Sequence, residues 1–305
     1  MKDFPVYLVV MALVWFVNLL PEGAALTLGR AVGGLAFRLG GERRKMVIKN
    51  IKTAFKGEKT EEEMEAIARA SYGNLGMSVV EFARLKKLDM RRVEESITFE
   101  GLENLKEAVG KGKGVVFLTA HLGSWEMLGP ALTTKGYRGS SLVRPLDNGY
   151  LDVFVEGQRT MFGNSVIPRK NALRKMLEIL RGGGNLGILL DQRSSRRDGV
   201  EVEFFGRPAP TSKGLAAVVM KTGSPVVPVF ILRENGRKQR VIADMPVEAV
   251  LTGDREADIK ENTRRFTSAI EKFVRLYPDQ WLWLHSRWER RPSKRREKAN
   301  ADASA

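Results

Sequence analysis

Apolar and polar positions change their rhythm twice along this chain. Residues 4–20 (FPVYLVVMALVWFVNLL) form an almost unbroken apolar run, interrupted by Asn18 and closed by Pro21. As a helix the run spans roughly 25 Å, slightly short of the ~30 Å hydrocarbon core of a bilayer. It fits a marginal transmembrane helix or a deeply inserted anchor, with a buried core helix as the alternative. Residues 24–39 interleave Leu26, Leu28, Val32, Leu35, Phe37 and Leu39 with Gly29, Gly33 and Gly34. Gly29 and Gly33 have the small-xxx-small spacing of a close helix contact. Over residues 61–85, Met64, Ile67, Ala68, Leu75, Val79 and Phe82 recur near a 3.6 period, which predicts a helix.

From about Ser96 the rhythm becomes an alternation of short apolar runs and helical patterns. Residues 113–119 (KGVVFLT) read as a central strand buried on both faces. Further strands are expected at 141–143, 165–167, 186–190, 226–232 and 240–243, with helices at 151–162, 172–181, 212–222 and 259–276. This alternation predicts one α/β domain around a largely parallel sheet flanked by helices. The expected organisation is an N-terminal membrane anchor helix over 1–22, a helical membrane-proximal region over 23–95, the α/β domain over 96–292 and a disordered basic tail over 293–305. The glycine clusters at 112–114 and 182–184 fit no phosphate-binding loop; both precede strands and read as turns.

Charge narrows the partners. The 305 residues carry a formal net charge of +15, and residues 30–59 alone hold nine basic side chains against two acidic. A second basic stretch covers 281–298. Such asymmetry points to an anionic partner. A basic cluster directly after an apolar anchor is the form of a juxtamembrane segment drawn to anionic lipid, at about 1 kcal/mol per cation. Nucleic-acid binding is excluded by arrangement, since no helix-turn-helix, zinc or aromatic-basic platform accompanies the charge. Cysteine is absent and histidine occurs only at His121 and His285, so thiol nucleophiles, Cys-ligated zinc and multi-histidine metal sites are excluded.

Imidazole chemistry must therefore use one of two residues. His121 stands just past the buried strand at 113–119, where open α/β sheets place ligand sites. If the chain turns into a helix near Gly123, the five-residue offset lets the Glu126 carboxylate reach back to the imidazole, fixing its tautomer and stabilising the imidazolium. Free amides at that helix start would support a developing oxyanion. The bland alternative is a satisfied histidine at a strand end with an ordinary first-turn acid.

The segment His121-Leu122-Gly123-Ser124-Trp125-Glu126 resembles the H-x4-D/E motif of glycerolipid acyltransferases, and more narrowly the H-x-G-N-W-E form of the bacterial lipid A late acyltransferases. Arg144-Pro145-Leu146-Asp147-Asn148 is similar to the family's R-P-x-x-N element and Asp191-Gln192 to its D-Q. Residues 204–211 (FFGRPAPT) and 281–288 (WLWLHSRW) are similar to its two remaining elements, and residues 43–55 to its anchor-proximal region. Ser124 stands where that family usually has Asn.

The resemblance implies a glycerolipid-acyltransferase-like fold and transfer of a fatty acyl chain to a hydroxyl of a lipid A precursor. The donor would be a thioester of acyl-carrier protein or CoA, with His121 as general base and Glu126 as its partner. It implies no cofactor and no metal, and a place at the bacterial inner membrane with the catalytic domain on its cytoplasmic face. Arg144, Asn148, Asp191, Gln192 and Thr211 are the substrate-binding candidates. Arg144 suits an acceptor phosphate or a loop salt bridge. Asp191 fits a contact to Arg144, to a substrate hydroxyl or to the next turn, and Thr211 fits a helix N-cap equally well. His285, between two tryptophans, reads first as a structural residue. A lysophospholipid, ornithine-lipid or glycolipid acceptor, and a non-catalytic membrane-peripheral module, are the alternatives.

Overall fold

In the computed structural model, residues 3–168, 172–234 and 238–288 are described; the expected tail at 293–305 lies outside them. The chain opens with helices α1 (Asp3–Leu19), α2 (Glu22–Leu39), α3 (Gly41–Ala54), α4 (Glu61–Ala83) and α5 (Met90–Ser96). Strand β1 (Ile97–Glu100) and helix α6 (Leu102–Gly110) follow. Then come β2 (Val115–Thr119), α7 (Trp125–Thr134), β3 (Ser140–Val143), α8 (Gly149–Thr160), β4 (Ser165–Pro168), α9 (Ala172–Arg181) and β5 (Asn185–Leu189). A hairpin of β6 (Gly199–Phe204) and β7 (Arg207–Ser212), helix α10 (Gly214–Thr222), β8 (Val226–Arg233), β9 (Gln239–Ala243) and α11 (Arg255–Leu276) complete the order.

Among the described residues a seven-stranded sheet runs β1-β9-β8-β2-β5-β3-β4, parallel except where β8 meets β9. The α/β expectation is met, and β2 is buried at every residue. Its side chains divide between two layers. Val116 and Leu118 join a core that includes Leu180, Leu215, Phe230 and Phe266, whereas Val115 and Phe117 join one that includes Leu105, Met127, Leu128 and Val229. Successive side chains point to opposite sheet faces, so a strand between two helical layers must be apolar throughout.

Local chemistry sets the helix starts. Thr60 and Glu63 form a reciprocal capping box at α4, and Asp89, Asn148 and Asp254 cap α5, α8 and α11. The expected small-residue contact joins α2 to α4: a Cβ on Gly33 would lie 2.1 Å from the Tyr72 carbonyl oxygen, and one on Gly76 would lie 2.0 Å from that of Gly29. Only glycine admits backbones this close.

No described helix is long and apolar enough to cross a membrane. Helix α1 instead lies along the body. At its start Phe4 and Tyr7 pack on Tyr150, and Asn148 Nδ2 donates to the Asp3 carbonyl. At its end Arg84 donates to the carbonyls of Val17 and Leu20, and Lys87 to that of Asn18. Val9, Leu13, Trp15 and Leu19 are left exposed, as are Val32, Leu35 and Leu39 of α2.

The hairpin β6–β7 was not among the expected strands, and it carries Pro208 and Pro210, residues confined to edge positions in sheets. Both lie in β7, opposite Glu203 and Glu201, in a two-stranded unit outside the main sheet.

Candidate active site

Strands β2 and β5 are parallel neighbours with Thr119 paired to Leu189. Two residues past that rung on each strand come His121 and Asp191, so the register delivers imidazole and carboxylate side by side at the C-terminal sheet edge. His121 Nδ1 lies 2.9 Å from Asp191 Oδ1, and the His121 backbone N–H donates to Asp191 Oδ2, also at 2.9 Å. Trp281 Nε1 donates to the same Oδ2 at 2.8 Å. Asp191 is buried, while the His121 side chain keeps 21% of its surface exposed.

The charges follow from these contacts. Burial alone would push the Asp191 carboxyl up, but His121 and Trp281 outweigh it and hold it down at about 2. Burial alone would lower the His121 imidazole. The Asp191 carboxylate, with a smaller contribution from Glu126, overcomes that and raises it above its ordinary value.

The Glu126 carboxylate does not hydrogen-bond the imidazole among the described contacts, which corrects the expected arrangement. It lies in the first turn of α7 and is taken by Arg159 of α8, whose Nε and Nη2 donate to its two oxygens at 3.0 and 2.5 Å. A guanidinium fork matches a carboxylate better than an imidazole whose Nδ1 is already engaged. Glu126 reaches His121 through its charge alone.

The turn between His121 and α7 is pinned from several sides. Gly123 has φ +59°, and a Cβ there would lie 2.0 Å from the Ile231 carbonyl oxygen. Its N–H donates to the Gln280 carbonyl and its own carbonyl accepts from Ser78 Oγ, both at 3.0 Å. Leu282 N–H donates to the His121 carbonyl at 2.9 Å. Ser124 occupies the N-cap position of α7 but makes no cap hydrogen bond. Its Oγ donates instead to Glu81 and accepts from Arg233 (2.9 Å) and Gln239 (3.2 Å). Glu81 and Arg233 form a buried bidentate pair, to which Asn74 Oδ1 contributes a 3.2 Å contact.

The other candidates have separate fates. Gln192 Nε2 lies 3.3 Å from His121 Nε2. Arg144 follows β3 and is largely exposed, 3.8 Å from Asp147. Asn148 is spent on capping, its Oδ1 accepting from the Tyr150 and Leu151 amides. Thr211 caps no helix: it is buried in β7 and accepts at 2.6 Å from Arg287, a buried guanidinium that burial lowers to about 10. Lys213 holds the cap position of α10.

A narrow slot of about 60 Å³ lies behind Trp125, between α7 and strands β2, β3 and β5. Its walls include Phe117, Leu128, Leu132, Gly187 and Leu189, and Trp125, whose ring lies edge-on to His121 at 5.3 Å, closes one side. Among the described residues no cluster of His, Asp and Glu has the makings of a metal site. Arg159 and the role of Trp281 were not found by sequence reasoning; the acid-base match of Glu126 with Arg159 was the available signal, and it carries no spacing.

The model of the bacterial lipid A biosynthesis acyltransferase family matches residues 2–290. The chain is 25% identical over 283 residues to the lipid A biosynthesis lauroyltransferase of Escherichia coli (strain K12), covering 92% of this chain and 90% of that protein. The palmitoleoyltransferase of the same strain is 26% identical over 290 residues with the same coverage. The phosphatidylinositol mannoside acyltransferase of Mycolicibacterium smegmatis is 27% identical over 227 residues, 73% of this chain and 72% of that protein.

Proposed function

The chain belongs to the bacterial lipid A biosynthesis acyltransferase family and is an acyltransferase; on that premise we propose that it esterifies a hydroxyl of a lipid A precursor with a fatty acyl chain drawn from an acyl thioester of acyl-carrier protein or CoA. The observation that carries this reading is the His121–Asp191 pair at the C-terminal edge of β2 and β5. With Nδ1 committed to Asp191, Nε2 is the nitrogen that works. It takes the proton of the acceptor hydroxyl as the oxygen attacks the thioester carbonyl. Collapse of the tetrahedral intermediate breaks the C–S bond, and the imidazolium returns the proton to the departing thiolate. Asp191 keeps the ring oriented and stabilises its charged form.

Helix α7 begins four residues after His121 without a side-chain cap, so its first-turn amides are suited to the oxyanion. Glu126 and Arg159 form the polar wall beside the imidazole, and Gln192 stands over Nε2. The slot behind Trp125 has a largely apolar lining and room for only a short stretch of an acyl chain, and the exposed Arg144 suits an acceptor phosphate. The exposed apolar rows of α1 and α2 support a reading in which the enzyme sits against a membrane and the acceptor is presented from the bilayer. The second reading keeps the chemistry and changes the acceptor to a phosphoinositide glycolipid, favoured by the mannoside acyltransferase match.

Mass spectrometry of membrane lipids from cells with and without the protein, with His121→Ala as control, tests this. A lipid A species heavier by one acyl chain, absent in the control, supports the first reading. The same gain on another lipid moves the acceptor, and no lipid change in any sample overturns acyl transfer.

A further inference from the structure

Helix α3 turns one face inward and another outward. Val47, Asn50, Ile51 and Ala54 are buried, whereas Lys45, Lys49 and Lys52 are exposed, with Lys56 exposed in the turn that follows. At spacings of four, three and four residues these lysines form one stripe, roughly 16 Å long. Arg207, at the start of β7, stands across from them, and together they line a groove of about 460 Å³. Glu42 bonds Lys45 and Glu61 bonds Lys52, but exposed pairs of this kind hold their partners weakly and give way to a better-placed anion.

Resting on the acyl-transfer reading, we infer that this groove docks an acidic helix of the carrier protein that delivers the thioester. A bilayer-facing patch interleaves its cations with exposed apolar side chains. Here the large exposed apolar residues stop at Leu39 and resume at Val79, and none comes from α3 or the hairpin. The surface is cationic without being lipophilic, which complements an acidic protein. It is also joined to the site. On the inner side of α3, Asn50 Nδ2 donates to the carbonyls of Trp283 and His285, both at 2.8 Å. Two residues before Trp283 stands Trp281, which holds Asp191. Across the groove, the hairpin carrying Arg207 is tied by Thr211 to Arg287 of the same C-terminal segment. A carrier seated between α3 and the hairpin thus rests on the segment that frames His121.

The test is steady-state kinetics of the full chain in mixed micelles, with acyl-carrier protein and CoA thioesters of the same acyl group compared. For Lys49→Glu/Lys56→Glu, and separately for Arg207→Glu, KM for the carrier thioester is expected to rise about tenfold or more, with kcat unchanged and KM for acyl-CoA altered by less than about twofold. The carrier reaction of the wild type should slow as salt is added, and that of the double variant should respond less. Unchanged KM for the carrier overturns the proposal. So does a parallel rise for both donors accompanied by lost binding to vesicles containing phosphatidylglycerol, which assigns the stripe to lipid. Wild-type activity with CoA alone overturns the docking surface while leaving the enzyme intact; activity with neither donor overturns the acyl-transfer reading itself.

Discussion

Asp191 holds His121 twice, through the imidazole Nδ1 and through the backbone N–H, each at 2.9 Å. One carboxylate therefore fixes both the ring and the chain from which it hangs. Asp191→Asn keeps the shape and loses the charge. Its kcat should fall by about 10² to 10⁴, comparable to His121→Ala. Residual activity should show the acid limb of its pH–rate profile at lower pH, because the carboxylate that raised the imidazole is gone and the neutral base persists further into acid.

The same pair governs stability against pH. Asp191 is lowered from 3.8 to about 2, so its contribution is present above pH 4 and is lost as pH falls toward 2. His121 is raised, so the part of the pairing that depends on its proton is full below about pH 6.5 and lost as pH rises through the raised value. Denaturation followed from pH 6 to pH 2 should show a loss of about 2 kcal/mol that is missing in Asp191→Asn.

Glu126 and Arg159 should act on the imidazole in opposite directions. The Glu126 charge raises it and the Arg159 charge lowers it. Glu126→Gln is expected to move the acid limb of kcat/KM down in pH, and Arg159→Met to move it up. Equal shifts in one direction would mean that the pair serves packing alone.

The Glu81–Arg233 pair lies beneath Ser124 with almost no exposure. Arg233→Met strands a carboxylate and should cost about 3–5 kcal/mol in chemical denaturation, whereas Glu81→Leu/Arg233→Met should recover most of that. Activity is a separate readout, because the double variant also frees Ser124 Oγ to cap α7.

Gly187→Leu would place a side chain in the slot between β2, β3 and β5. The expected result is a preference for shorter acyl chains at preserved kcat, read by competition between donors of different length. An unchanged preference would remove the slot from the acyl path.

Much of this layout was legible in the pattern of residues. The run Val115–Thr119 is apolar because both sheet faces bury it, and that is why His121 could be read as standing at a strand end. The partner of His121 was not legible in the same way. Glu126 is close in sequence, Asp191 is seventy residues away, and only the pairing of Thr119 with Leu189 makes the distant residue the nearer one. Asn148 and Thr211 show a different difficulty. Their hydroxyl and amide groups serve a helix cap and a buried arginine, and polar residues in a motif look alike whether they face substrate or backbone. The hairpin at 199–212 was not read from the sequence; its prolines fit a two-stranded unit and would not fit a central strand.

Helix α4 meets, in order along one rod, the Asp279 carbonyl through Asn74, the His121 turn through Ser78, the buried arginine through Glu81 and, from its C-cap Arg84, the end of α1. From Ser78 to Arg84 is six residues, roughly 9 Å of helix. One residue inserted between Ser78 and Arg84 would turn these two contacts about 100° apart around the helix axis, so a single rod could no longer hold both the His121 turn and the end of α1.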